Sequence, residues 1–176
     1  MVIFTTFAIQ ASGFWLNYSP RQVWHEMGLG ALNKRLLAIG LGSAVVLTIL
    51  VTVLNSLVEP YVDPNILKAV EAISQSLAPP DKPWLVLLSG LVIGLCAGIG
   101  EEMLFRGLIQ PVFGLVPSSL LFVLVHSQYG LSPFQCQLFL VSLLFGWLRL
   151  RFNTTTAILA HASYDFLIIS SSLFLH

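Results

Sequence analysis

The sequence predicts an all-α membrane protein: a polytopic transmembrane bundle of about six helices with a polar site inside the membrane. Of 176 residues, 56% are apolar and only 9% are charged, whereas soluble domains carry about 25% charged residues. The mean hydropathy of +0.87 leaves little polar surface for a separate water-soluble domain. Because no linker-like composition divides the chain, we expect one membrane domain over residues 1–176, with a motif-bearing core at about 84–170.

The helices follow from apolar runs of membrane-spanning length, which is roughly 20 residues. These runs lie at about 2–18, 36–58, 84–100, 117–126, 134–149 and 154–175. The run at 117–126 is only half a conventional span. It either tilts, joins the preceding helix across Pro111 and Pro117, or is buried in protein.

Two further patterns concern packing and the membrane surface. Gly90, Gly94 and Gly98 recur every four residues, so they line one helix face and permit the close approach of a second helix. Residues 65–78 show helical amphipathicity, which is typical of a helix that lies along the membrane interface and equally of a plain surface helix.

Composition also excludes some classes of function. The net charge is zero and the basic residues are scattered singly, so the sequence does not predict nucleic-acid binding. The two cysteines, Cys96 and Cys136, lie in apolar runs and indicate neither a disulfide framework nor a cysteine metal cluster.

The first polar motif stands at the end of the third apolar run. Glu101 and Glu102 are adjacent there, and Arg106 follows four residues after the second. Ionisable groups at membrane depth cost a few kcal/mol, so they usually face the bundle interior and have partners. Glu102 and Arg106 share a helix face and can form an ion pair, which leaves Glu101 free to point elsewhere. The alternative is a polar loop at the membrane edge.

The other two motifs each place a histidine in an apolar segment. His126 follows Phe122 by one helical turn, and His161 precedes Asp165 by the same spacing. Either histidine alone also fits a structural role, in which His161 simply pairs with Asp165. Together, however, the three motifs contain nearly all the ionisable residues of the apolar second half.

If these helices surround one cavity, the polar residues suffice for hydrolysis. Glu101 and His126 can carry protons, and His161 and Asp165 can line an oxyanion site. The sequence contains no G-x-S-x-G and no H-E-x-x-H motif, so a water nucleophile activated by Glu and His fits better than the familiar serine or zinc patterns.

The three motifs resemble those of the CPBP family, the CAAX-protease and bacteriocin-processing membrane proteins also called Abi. That family carries EExxxR, then FxxxH, then HxxxN or HxxxD. Here the motifs are Glu101 to Arg106, Phe122 to His126 and His161 to Asp165, in the same order. The resemblance implies an intramembrane glutamate-dependent endopeptidase similar to the type 2 CAAX prenyl proteases.

Carried over by motif position, Glu101 and His126 would activate the attacking water, and His161 and Asp165 would line the oxyanion site. Glu102, Arg106 and Phe122 would support them. Asp165 stands where many members have Asn, and an ionised carboxylate cannot donate to an oxyanion. It would instead orient His161 or be neutral through burial. No cofactor is expected; zinc, which two histidines and two carboxylates can bind, is the second choice.

The resemblance implies a peptide or protein substrate, prenylated or embedded in the membrane, and a multi-pass protein of a bacterial-type plasma membrane. Two alternatives to a peptidase stay open. One is a non-catalytic scaffold or bacteriocin-immunity protein of the same family. The other is a transporter or proton relay, for which intramembrane Glu and His are also typical but which predicts inverted repeats that we do not detect.

Overall fold

A computed structural model describes residues 6, 10, 19–79, 81–130 and 132–174. Within these ranges the chain forms helices and short turns and no strand, which confirms the all-α class. The predicted membrane segment at 2–18 lies outside the described residues, apart from Thr6 and Gln10. The other five predicted segments each coincide with a helix.

Eight α-helices follow one another in the described part: α1 (Pro20–Glu26), α2 (Lys34–Val58), α3 (Pro64–Leu77), α4 (Pro83–Glu102), α5 (Gln110–Phe113), α6 (Leu115–Leu124), α7 (Pro133–Arg151) and α8 (Thr154–Ser171). A π-helical segment, Met103–Ile109, joins α4 to α5 without a break. The side chains of Asn33 and Asn153 accept backbone N–H groups at the starts of α2 and α8. These caps satisfy donors that a helix start leaves unpaired, so both starts are set by local sequence.

Three described helices are long and apolar enough to cross a membrane: Lys34–Tyr61, Pro83–Phe113 and Pro133–Arg151. The chain is therefore a membrane protein, while the count of six spans stays a prediction. Helix α8 has 18 residues, but His161, Asp165 and its Ser and Thr residues lower its hydropathy. Helix α6 has ten residues and is about 15 Å long, too short to cross by itself.

Helix directions follow from a few contacts. Gly30 donates its N–H to Thr155 beside the starts of α2 and α8, and Gly40 faces Leu159 further along, so α2 and α8 run parallel. Only Phe152 and Asn153 separate α7 from α8, so α7 runs antiparallel to both. The polar motifs of α4, α6 and α8 are thereby brought to one region of the bundle.

The closest helix contact involves the glycines of α4. A Cβ atom on Gly94 would lie 2.5 Å from the carbonyl oxygen of Ala162, and one on Gly98 would lie 2.9 Å from the N atom of the same residue. Gly90 faces Phe166, so α4 and α8 run antiparallel with their backbones nearly in contact. The predicted role of the glycine stripe is confirmed, because only glycine permits this approach.

We expect Gly94→Ala to destabilise the fold by about 1–3 kcal/mol, the usual cost of overpacking, because the added methyl group meets backbone rather than a movable side chain. Gly42→Ala is the matched control, since no atom of another helix lies within 4 Å of its added Cβ. That variant should be neutral or slightly more stable through helix propensity. Unfolding in mixed micelles, followed by SDS titration, measures both. Equal stabilities of the two variants would contradict the close α4–α8 contact.

Candidate functional site

The first motif lies where α4 passes into the π-helical segment. Glu101, Glu102 and Arg106 are at most 3% exposed. A π-helix shifts the hydrogen-bond pattern by one residue, and such segments occur frequently at functional sites. Here the carbonyl of Arg106 accepts a hydrogen bond of 3.1 Å from Nε of Arg149 on α7. The π-helical segment is thus tied to a neighbouring helix.

Arg106 is held on several sides. Its Nε lies 3.1 Å from Oε2 of Glu102, and its Nη2 donates to the carbonyl oxygen and to Oγ of Ser142 at 3.0 and 3.1 Å. The guanidinium carbon lies 4.7 Å from the ring centroid of Phe122. A buried guanidinium with an anion, two acceptors and an aromatic face has little freedom to move. It therefore fixes the Glu102 carboxylate.

Glu102 in turn holds His161. Oε1 of Glu102 lies 2.8 Å from Nδ1 of His161, and the ring of Phe145 stacks on the imidazole at 4.6 Å with an interplanar angle of 18°. On its other side, Nε2 of His161 lies 3.5 Å from Oδ2 of Asp165. The imidazole thus stands between two carboxylates, and its plane is fixed by Phe145. Helices α4, α7 and α8 all contribute to this arrangement.

His126 follows the end of α6 and makes two contacts with Phe122. Its Nδ1 lies 2.7 Å from the carbonyl oxygen of Phe122, and the two rings stack at 4.6 Å. A carbonyl only accepts, so we assign the proton of the neutral ring to Nδ1. The lone pair on Nε2 then points away from α6, toward Oε2 of Glu101 at 3.7 Å. That distance is longer than a direct hydrogen bond.

These residues border a cavity of about 620 Å³. Its polar wall contains Glu101, His126, His161 and Asp165, whereas Glu102 and Arg106 lie behind that wall and are 0% and 1% exposed. This is the placement that the helical spacing predicts for the two glutamates. The catalytic roles assigned to the residues stay predictions.

The remaining walls of the cavity are largely apolar. The predicted amphipathic segment at 65–78 forms α3 (Pro64–Leu77), and its Val70, Ile73 and Leu77 face the cavity. Ile93 of α4 and Val141 of α7 face it from other sides. The polar residues therefore occupy one part of the cavity wall, and the rest of the wall suits a hydrocarbon ligand.

Sequence reasoning missed two residues that hold the site. Ser142 accepts from Arg106, and Phe145 stacks on His161. Both lie on α7, which carries none of the three motifs. The sequence signal that could have indicated α7 was a pair of polar residues, Gln137 and Ser142, inside an apolar run.

A zinc ion requires three or four converging ligands. In the ranges that the structure describes, no group of three or more His, Cys, Asp or Glu side chains is arranged to hold a metal. Nδ1 of His161 lies 2.8 Å from the Glu102 carboxylate, so that ring nitrogen is engaged within the protein. The residues present do not form a ready zinc site, and metal dependence stays a prediction.

The motif-bearing part of the chain is similar to a known protein family. A sequence model described as type II CAAX prenyl endopeptidase Rce1-like matches residues 83–167. Residues 83–167, just under half of the chain, are therefore similar to the Rce1-like family. The match begins at the first residue of α4, ends within α8 and contains all three motifs, so the family predicted from those motifs is confirmed.

One curated relative adds little about the function of this Rce1-like region. An uncharacterised 24.3 kDa protein of Escherichia coli is 34% identical over 100 residues, and the similarity covers 45% of this chain and 46% of that protein. The chain thus matches less than half of the length of this relative. No solved structure matches the chain significantly.

Proposed function

We propose that the site hydrolyses a peptide bond within the membrane, using a water molecule that Glu101 and His126 activate. One observation carries the proposal: the 3.7 Å between Oε2 of Glu101 and Nε2 of His126, which both border the cavity. Neither atom carries a proton when the carboxyl is ionised and the imidazole is neutral. A water placed about 2.8 Å from each would donate to both and present its oxygen to the cavity.

The residues support a balanced reaction. The water oxygen bonds to the substrate carbonyl carbon while its proton passes to Glu101 or His126. The carbonyl oxygen then becomes an oxyanion near His161. Nδ1–H of this ring donates to Glu102, so the proposed Nε2–H donor to the oxyanion requires the doubly protonated imidazolium. The C–N bond breaks, and the leaving nitrogen takes up the proton released by the water. The group that accepts the water proton in the first step donates it to the leaving nitrogen in the second step.

The other residues of the three motifs support this chemistry indirectly. Asp165 cannot donate to the oxyanion while it is ionised, so its proposed role is to orient His161 from 3.5 Å. Glu102 fixes the opposite side of the same ring at 2.8 Å, and Arg106 fixes Glu102. Such supporting contacts hold a catalytic group in its productive orientation.

The substrate we propose is a lipidated or membrane-bound peptide, cut near its C-terminus. The apolar walls formed by α3, α4 and α7 suit a hydrophobic ligand. The name of the matching family, a type II CAAX prenyl endopeptidase group, supports a prenylated peptide as the first probe. The three helices that are long and apolar enough to cross a membrane support a membrane-bound substrate.

The test is cleavage of a quenched fluorescent, farnesylated CAAX peptide by purified protein in detergent. We expect wild-type protein to cleave it and Glu101→Gln to cleave it about 10³-fold more slowly. Glu26→Gln is the matched control, because Glu26 is exposed on α1 and should leave the rate unchanged. Each protein is assayed with and without a chelator. Activity that survives the chelator supports the metal-free mechanism.

Other outcomes favour other functions. Inhibition by the chelator that added zinc reverses would support a zinc-dependent membrane peptidase. Equal cleavage by wild type and Glu101→Gln would contradict the proposed chemistry. Absence of cleavage of both prenylated and unmodified membrane peptides would support the scaffold or immunity alternative.

A further inference from the structure

Three side-chain amides border the cavity, and two of them, Asn55 on α2 and Gln137 on α7, lie on helices that carry none of the three motifs. Val51 and Val141 belong to one buried cluster between these antiparallel helices. Asn55 follows Val51 by one turn, and Gln137 precedes Val141 by one turn. Because the two helices are antiparallel, both amides lie beyond this cluster in the same direction along the bundle.

Gln137 is the more unusual of the two. It is 7% exposed, and its Nε2 is buried without a hydrogen-bond partner among the described residues. An unpaired buried donor destabilises a folded protein, so such a group needs an explanation. A ligand in the cavity would supply the missing acceptor.

The distance from the catalytic residues indicates which part of a substrate Gln137 meets. Gln137 precedes Phe145 by eight residues, and Phe145 stacks on His161. Eight helical residues span about 12 Å. An extended peptide advances about 3.3 Å per residue, so this length corresponds to three or four substrate residues.

We propose that Gln137 and Asn55 bind the main chain of an extended substrate three or four residues from the bond that is cleaved. An extended peptide in an apolar cavity has N–H and C=O groups that need partners, and a carboxamide supplies both a donor and an acceptor. A helical substrate would satisfy these groups internally. The inference rests on the proposed function, which it deepens by assigning a positioning role to two residues outside the motifs.

The charge of the cavity favours an internal peptide group over a terminal carboxylate at this position. Among the described residues that line the cavity there is no Lys or Arg. A carboxylate bound beside Gln137 would therefore lack a counter-charge in apolar surroundings. The acceptor for Gln137 is either an internal main-chain carbonyl or the terminal carboxylate. Two peptides that differ only in having a free or an amidated C-terminus distinguish these possibilities.

The experiment measures binding separately from catalysis. The farnesylated peptide is titrated against Glu101→Gln protein by fluorescence anisotropy, with Gln137→Met or Asn55→Leu added to that background. We expect each added change to raise Kd about tenfold, the effect of one hydrogen bond. In otherwise wild-type protein, Gln137→Met should raise KM with little change in kcat. Gln75→Met is the matched control, because Gln75 on α3 is exposed and does not border this cavity, and its Kd should stay within twofold.

A purely structural role for Gln137 predicts a different pattern. Without peptide, Gln137→Met should have an unchanged or higher Tm, since it removes an unpaired buried donor. A lower Tm with the same Kd would show that the amide serves the fold. Peptides with fewer than three residues on each side of the cleaved bond should bind wild type and Gln137→Met equally.

The outcomes separate this inference from the proposed function. If Glu101→Gln abolishes cleavage while Gln137→Met leaves both Kd and KM unchanged, only the inference is overturned. A weakened Kd with free and amidated peptides alike supports main-chain binding, and an effect limited to the free carboxylate overturns it. Wild-type protein that neither binds nor cleaves the peptide would overturn both proposals.

Discussion

Glu101→Gln and His126→Gln should each lower kcat about 10³-fold, within the range for loss of a general acid–base group, and the double variant should lose scarcely more than either single variant. The expectation follows from the 3.7 Å between the two side chains, which lets both act on one water molecule. Groups that act as a unit give strongly non-additive losses, because removing one already disables the other. KM should change little, since neither substitution alters the apolar walls.

The measurement is a double-mutant cycle. Initial rates of cleavage of the farnesylated peptide are compared for wild type, the two single variants and the double variant. His25→Gln makes the same chemical change at an exposed histidine on α1 and should retain wild-type kcat. Losses that multiply to about a millionfold in the double variant would mean that Glu101 and His126 act independently. In that case the shared-water mechanism would be wrong, even if the protein were a peptidase.

The parts of the site that sequence could predict are those governed by helical periodicity. Glu102 and Arg106 are four residues apart and form an ion pair in the structure, although a π-helical segment begins between them. Phe122 and His126 have the same spacing and stack. Local spacing determines which side chains share a helix face, so these contacts follow from sequence alone.

Contacts between helices could not be predicted in this way. Ser142 and Phe145 lie on a helix without a motif, and their partners Arg106 and His161 are distant in sequence. Only the packing of α7 beside α4 and α8 brings them together. The number of spans was also uncertain for a physical reason: α6 has only ten residues, and the polar residues that build the site lower the mean hydropathy of α8.

The contacts of Arg106 carry a second large prediction, on stability. We expect Arg106→Met to lower the free energy of unfolding by about 3 kcal/mol or more, because it leaves the Glu102 carboxylate buried without its cation. Glu102 is 0% exposed, and Ser142 would lose its hydrogen bonds as well. Arg106→Lys should restore little, since an ammonium cannot reproduce the planar contacts with Glu102, Ser142 and Phe122.

The double variant Glu102→Gln/Arg106→Met should be more stable than Arg106→Met alone, because a neutral amide replaces the unpaired carboxylate. Arg21→Met is the control for loss of an exposed arginine and should change stability by less than about 0.5 kcal/mol. SDS titration in mixed micelles measures all four proteins against wild type. If Arg106→Met were as stable as Arg21→Met, the buried pair would not hold the fold together. The fixed position of His161 would then need another cause, because Glu102 contacts it from a site that Arg106 itself stabilises.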